Sequence, residues 1–152
     1  MLIIVPSIAA AEYVRLSIDR IHTLQNMHIA CLYQLVDPNV HVVYISPVQL
    51  TTDETTYHER FLAALGVHMP ASEAKRLHFI VPELINRLPS HMPMSQVLWC
   101  STSALRKVKA FIRRFPNAYI VPTAMTWVER RLSNLFNVPM LSPDPITADT
   151  IR

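Results

Sequence analysis

Glycine is nearly absent: Gly66 is the only one in 152 residues. A backbone so short of glycine cannot form the GxGxxG turn or the glycine-rich loop that cradles phosphates, so both nucleotide fingerprints are excluded. Charge is scarce as well, at 16% of residues against 51% apolar, a balance that excludes intrinsic disorder and predicts a large core. No acidic residue falls between Leu84 and Val128, although Arg87, Arg106, Lys107, Lys109, Arg113 and Arg114 do. Apolar runs stop well short of the ~18 residues that cross a bilayer. The amino terminus lacks the basic start and long apolar stretch of a signal peptide. With two cysteines, Cys31 and Cys100, both in apolar helical patterns, the expectation is buried thiols in a reducing compartment. The chain is expected to be one soluble, cytoplasmic domain, large enough for a real core.

What is present is a rhythm of short β-prone runs meeting proline. Five such runs are Leu2–Val5 before Pro6, Val42–Ser46 before Pro47, Phe79–Val81 before Pro82, Tyr119–Val121 before Pro122, and Val138–Ser142 before Pro143. Proline supplies no N–H and restricts the residue before it, so each run reads as a strand ended at its carboxyl end. Helical patterns lie between the runs. Ala9 to Val36 carries Tyr13, Leu16, Ile21, Leu24, Ile29, Leu32 and Tyr33, with a break expected near Gln25–Met27. Thr51 with Glu54 predicts a capping box, Tyr57, Phe61, Leu62 and Leu65 one apolar stripe, and Gly66 a left-handed cap. A short helix is expected over Met94–Cys100, and a longer one over Ser103–Phe115 with Ser103 in the ordinary role of N-cap. In the longer one Leu105, Val108, Phe111, Ile112 and Phe115 oppose five basic residues. Thr123 is expected to cap a last helix bearing Met125, Val128, Leu132, Leu135 and Phe136.

The alternation predicts an α/β fold: a Rossmann-like three-layer sandwich with a mostly parallel sheet of about five strands and helices on both faces. Residues 1–145 form the domain, and 146–152 read as a tail or linker toward a further module.

Open parallel sheets bind ligands at their carboxyl edge. The candidates there are Ser7, Ser46, Glu83, His91 and Thr123. The serines and threonines have an ordinary role as turn and capping hydroxyls. No catalytic residue emerges, for GxSxG, HExxH and Cys-x-x-Cys are all missing. The seven histidines, His22, His28, His41, His58, His68, His78 and His91, are scattered, and no metal site is read. Arg106, Lys107, Lys109, Arg113 and Arg114 form a basic patch, either a solvated outer face or a contact for RNA or calmodulin. No IQ consensus is present.

Several strings taken together resemble the pre-ATP-grasp domain of the IQ motif-containing protein H family. They are Val42-Val43-Tyr44-Ile45-Ser46-Pro47-Val48, Phe79-Ile80-Val81-Pro82-Glu83 through Leu88-Pro89-Ser90-His91-Met92, Ala104-Leu105-Arg106-Lys107-Val108-Lys109, Ala118-Tyr119-Ile120-Val121, and Leu135-Phe136-Asn137-Val138-Pro139-Met140-Leu141 with Pro143-Asp144-Pro145. The resemblance implies a domain that precedes an ATP-grasp module, as in peptide-ligase-like proteins. It implies no cofactor for this chain alone, with ATP and magnesium held by the following module. The chain would then act as a non-catalytic scaffold or protein-interaction module, with that module, axonemal proteins or calmodulin as partners. The alternative is a small-ligand or nucleotide-binding part of a ligase. A cytoplasmic place, in a cilium or flagellar axoneme, is also implied by the resemblance. Where that family carries glycines after its late strands, this chain has Pro122 and Ser142.

Overall fold

The structure, a computed structural model, describes residues 1–8, 10–19, 21–67 and 76–151. Ala9, His68 and Arg152, and the side chains of His28 and Ile29, lie outside that description.

Four strands form one wholly parallel sheet in the order β3-β2-β1-β4. They are β1 (Leu2–Val5), β2 (Val42–Ile45), β3 (Leu77–Ile80) and β4 (Tyr119–Pro122). The register sets Ile3 beside Val43 and Ile120, so β1 and β2 are flanked on both sides. Alternation then sorts the side chains. Ile3, Val5, Val43, Ile45 and Ile120 face one layer; Ile4, Val42 and Tyr44 face the other. The structure is the expected Rossmann-like three-layer sandwich with helices on both faces.

One face is covered by a 3-10 helix, Asn26–Val36, and by α3 (Thr52–Ala64), which contribute Leu32, Leu35 and Leu62. The other is covered by α4 (Met94–Cys100), α5 (Thr102–Arg114) and α6 (Trp127–Phe136), through Val97, Leu98, Val108, Leu132 and Phe136. The helices change face where the strand order reverses, as right-handed crossovers require. Before the 3-10 helix come α1 (Glu12–Ser17) and α2 (Ile21–Gln25), the latter ending where the break was expected. The chain closes with α7 (Pro145–Ile151), so the stretch read as a tail is helical, with Ile146 exposed.

Four expectations need correction. The fifth run, Val138–Ser142, contributes a single bridge, Ile120 to Met140, instead of a strand. Pro139 has no N–H to donate and Pro143 follows closely, so the ladder cannot propagate. The stripe on α3 points the wrong way: of its apolar residues only Leu62 is buried. Tyr13 and Leu16 are also exposed, because α1 is six residues long and lies at the strand ends, burying nothing. Cys100 is exposed and Cys31 half-buried, since Val97 and Leu98 take the interior positions of α4.

Local signals at α3 hold. The Thr51 hydroxyl accepts from the Glu54 amide at 3.3 Å, and the Glu54 carboxylate accepts from the Thr51 amide at 2.7 Å. Gly66 has φ +81°, a left-handed turn that costs other residues strain. Asn137 makes the corresponding turn after α6 at φ 53°.

Burial lowers the pKa of His22, His41 and His58 from the ordinary 6.5. For His41 the charges of Arg76, the amino terminus, His78 and Arg114 act in the same direction. The native state therefore favours the neutral rings, while the unfolded chain binds protons first as pH falls. Stability is complete above pH 6.5 and declines below it, toward the lowered native values. Urea midpoints measured from pH 7.5 to 5.5 should fall steadily on the acid side, and a flat profile would contradict this assignment.

Candidate functional site at the strand ends

Strand order reverses between β1 and β4, and in open α/β sheets the crevice beyond that point is the usual ligand position. Here Ser7 follows β1 and Thr123 follows β4. The Thr123 hydroxyl accepts from the Ser7 amide at 2.7 Å and donates to the Ser7 carbonyl at 2.9 Å. Pro6 and Pro122 offer no N–H at this level. The threonine side chain thus carries the β1–β4 pairing past the prolines. It does not cap the last helix, as its position suggested. That task falls to Thr126, whose hydroxyl accepts from the Val128 amide at 3.2 Å and whose amide donates to Glu129 at 2.8 Å. Glu129 is fully buried; its Oε2 serves the cap, while Oε1 has no partner among the described residues.

The other three edge candidates lie apart. Ser46 is buried, donating from its hydroxyl to the Val48 carbonyl at 2.6 Å and from its amide to the Ile80 carbonyl at 2.9 Å. It shapes the turn after β2. Glu83 accepts from the amides of Ser103 and Ala104 at 2.6 and 3.0 Å, so it caps α5 from another loop. Desolvation pushes its pKa up, but these amides and nearby Arg106 prevail and leave it lowered. Ser103 is accordingly not the cap; the capping position is Ser101, whose hydroxyl is turned to the Val97 carbonyl at 2.8 Å. His91 places Nε2 3.4 Å from Glu12, and its carbonyl accepts from the Arg15 guanidinium at 2.9 Å.

Residues not anticipated complete the region. Gln25 is fully buried, and its side-chain oxygen accepts from the Ile8 amide at 3.3 Å and the Met94 amide at 2.9 Å. One amide group therefore ties the β1–α1 loop to the start of α4. Ser95 is buried against Ser7, with the hydroxyl oxygens 3.3 Å apart. A cleft of about 510 Å³ opens beside them, lined by Arg15, Gln96 and Trp127 among others. The Thr126-x-x-Glu129 spacing was a readable signal; nothing in the sequence marked Gln25 or Ser95.

Two outer faces matter too. The basic patch is mostly in solvent: Arg106, Lys107, Arg113 and Arg114 are exposed and Lys109 half-buried, while Ala104 and Val108 hold α5 to the core. On α3, Tyr57, Phe61 and Leu65 are 65%, 45% and 43% exposed. They recur every fourth residue and share one side of the helix. Among the described residues no three histidine, cysteine or acidic side chains gather closely enough to hold a metal, and no helix is long and apolar enough to cross a membrane.

Replacing Gln25 by alanine leaves two backbone donors, one of them buried, without their acceptor. Each such loss costs about 1–3 kcal/mol. The variant should unfold about 2–4 kcal/mol more easily in urea, with amide exchange at Met94 accelerated; an unchanged midpoint would show that the clamp carries no weight.

No family model matches the chain, and no solved structure matches it. It is 29% identical to IQ motif-containing protein H of the zebrafish Danio rerio, across 93% of this chain and 14% of that protein. The chain thus spans about a seventh of the relative's length.

Proposed function

We propose that this chain is a non-catalytic α/β module that acts as a scaffold, docking on a protein partner through the outer side of α3. The observation that carries this reading is the exposed stripe Tyr57, Phe61 and Leu65. A 13-residue helix that buries one leucine gives little apolar area to its own core. Full burial of one such side chain is worth about 1.5–3 kcal/mol, so covering three aromatic and aliphatic groups would supply a substantial docking energy. Nearby on the same layer, Tyr33 and Val36 of the 3-10 helix are exposed as well. The similarity to a segment of a far longer protein supports a partner module in the same chain or assembly. In the pre-ATP-grasp version of this reading the partner is an ATP-grasp module, which would hold the ATP and magnesium. A ciliary assembly belongs to the same proposal.

Because the stripe is exposed, Phe61→Ser and Tyr57→Ser should leave the melting temperature nearly unchanged while removing a partner that the native chain retains in affinity capture. Retention of that partner by both variants, or steady ATP hydrolysis by the 152-residue chain itself, would overturn the proposal.

A second reading is favoured by α5, whose cations face solvent with no acidic residue from position 85 to 128. An acidic protein such as calmodulin, or less readily RNA, would bind that face. Its affinity should fall steeply with added salt and with Arg113→Glu/Arg114→Glu, since exposed charges act over about a Debye length of 8–10 Å. Binding indifferent to salt would point elsewhere.

A further inference from the structure

We propose that the cleft at the reversal of strand order binds a small organic anion, a carboxylate or phosphate carried on a flat apolar body. This inference is independent of docking through α3. At about 510 Å³ the cleft falls within the ~300–1,000 Å³ typical of small-molecule sites. Its position between the ends of β1 and β4 is where open parallel sheets place ligands.

The lining is selective in charge. Among the described residues Arg15 is its one ionised side chain, and no aspartate or glutamate lines it. The guanidinium donates from Nε to the His91 carbonyl at 2.9 Å and from Nη1 to the Ala10 carbonyl. Those two bonds hold it in place and use two of the five donors a guanidinium carries. Ser7 and Ser95 line the same cleft, 4% and 1% exposed, with their hydroxyl oxygens 3.3 Å apart. Two hydroxyls carry two protons. One spans the pair, and the other has no acceptor among the described residues. The serine pair therefore has one O–H donor to offer an occupant of the cleft. The start of α6 at Thr126–Val128 also lines the cleft, but there the Thr126 hydroxyl and the Glu129 carboxylate already cap the helix, so its positive end is not counted toward the site. The guanidinium and the spare hydroxyl proton favour negative charge.

The remaining walls suit a flat apolar body. Trp127 is 54% exposed and reaches the cleft from α6, while Ile8, Ala11 and Pro93 supply apolar surface. A smaller hollow of about 260 Å³ continues past Gln96 and Val128 and repeats the pairing of an indole with a guanidinium, Trp99 with Arg131. Again no carboxylate among the described residues lines it.

The test uses the 152-residue chain with Trp99→Phe, so that Trp127 alone of the two tryptophans reports. Phenylacetate and phenyl phosphate are compared with neutral phenylacetamide and phenol, by tryptophan fluorescence and thermal shift. At least one anion should quench Trp127 and raise the melting temperature, binding about tenfold or more tightly than its neutral counterpart. The preferred anion distinguishes a carboxylate site from a phosphate site. Arg15→Gln should erase the preference for charge, and Ser95→Ala should weaken binding about threefold to tenfold. Arg113→Gln, on the far side of α5, should change neither. If Arg15→Gln fails to fold, Ser95→Ala and the charge comparison decide alone. Equal binding of the neutral partners, no response to any probe at about 5 mM, or an anion preference retained in a folded Arg15→Gln variant would overturn the assignment.

Discussion

Backbone groups left over where a parallel ladder stops must find partners, and in this chain side chains supply them. Buried N–H and C=O groups are costly when unpaired. Prolines at the strand ends and a single glycine leave the main chain few ways to pair with itself. Thr123 bridges β1 and β4, Ser46 closes the turn after β2, Gln25 serves two loops, and Glu83 caps α5. The polar residues along this edge are thereby committed to structure. What they leave uncommitted among the described residues includes one hydroxyl proton of the Ser7–Ser95 pair, the spare donors of Arg15 and the buried Glu129 Oε1.

The same economy shapes the two helical layers. α4, α5 and α6 bury their apolar sides against the sheet, and α5 and α6 turn their arginines outward, as amphipathic helices do. α3 reverses the arrangement, keeping Leu62 inside and Tyr57, Phe61 and Leu65 outside. A helix with this orientation is held to its own domain more weakly than its composition suggests. Its surplus apolar surface is a reason to expect a neighbour on that layer.

Strand positions, the parallel sheet and most helix bounds were legible in the sequence because they follow from local rules: β-prone runs, proline stops and capping pairs. Met94–Cys100 and the Thr51–Glu54 box fall where local chemistry puts them. The side of α3 that faces inward was not legible, since periodicity gives a stripe but not the rotation that brings it to the core. The strand ends were legible as a region and misread in detail. Thr123 and Ser103 had the residue types of caps, yet Thr126 and the distant Glu83 hold those amides. Gln25 and Ser95 act across 69 and 88 residues of sequence, and no local pattern announces a contact of that span.

The lone bridge outside β4 has a wider consequence. Ile120 donates to the Pro139 carbonyl and accepts from the Leu141 amide, both at 2.9 Å. Pro122 has no N–H, so the outward edge of β4 offers only a broken row of hydrogen-bonding groups to solvent. A neighbouring molecule seeking to extend the sheet would meet a margin already occupied at its middle and blocked at its end. Exposed edges of this kind are where sheets of separate molecules fuse and precipitate. The segment that failed to become a fifth strand thus occupies the margin at which a second sheet would have to pair with β4.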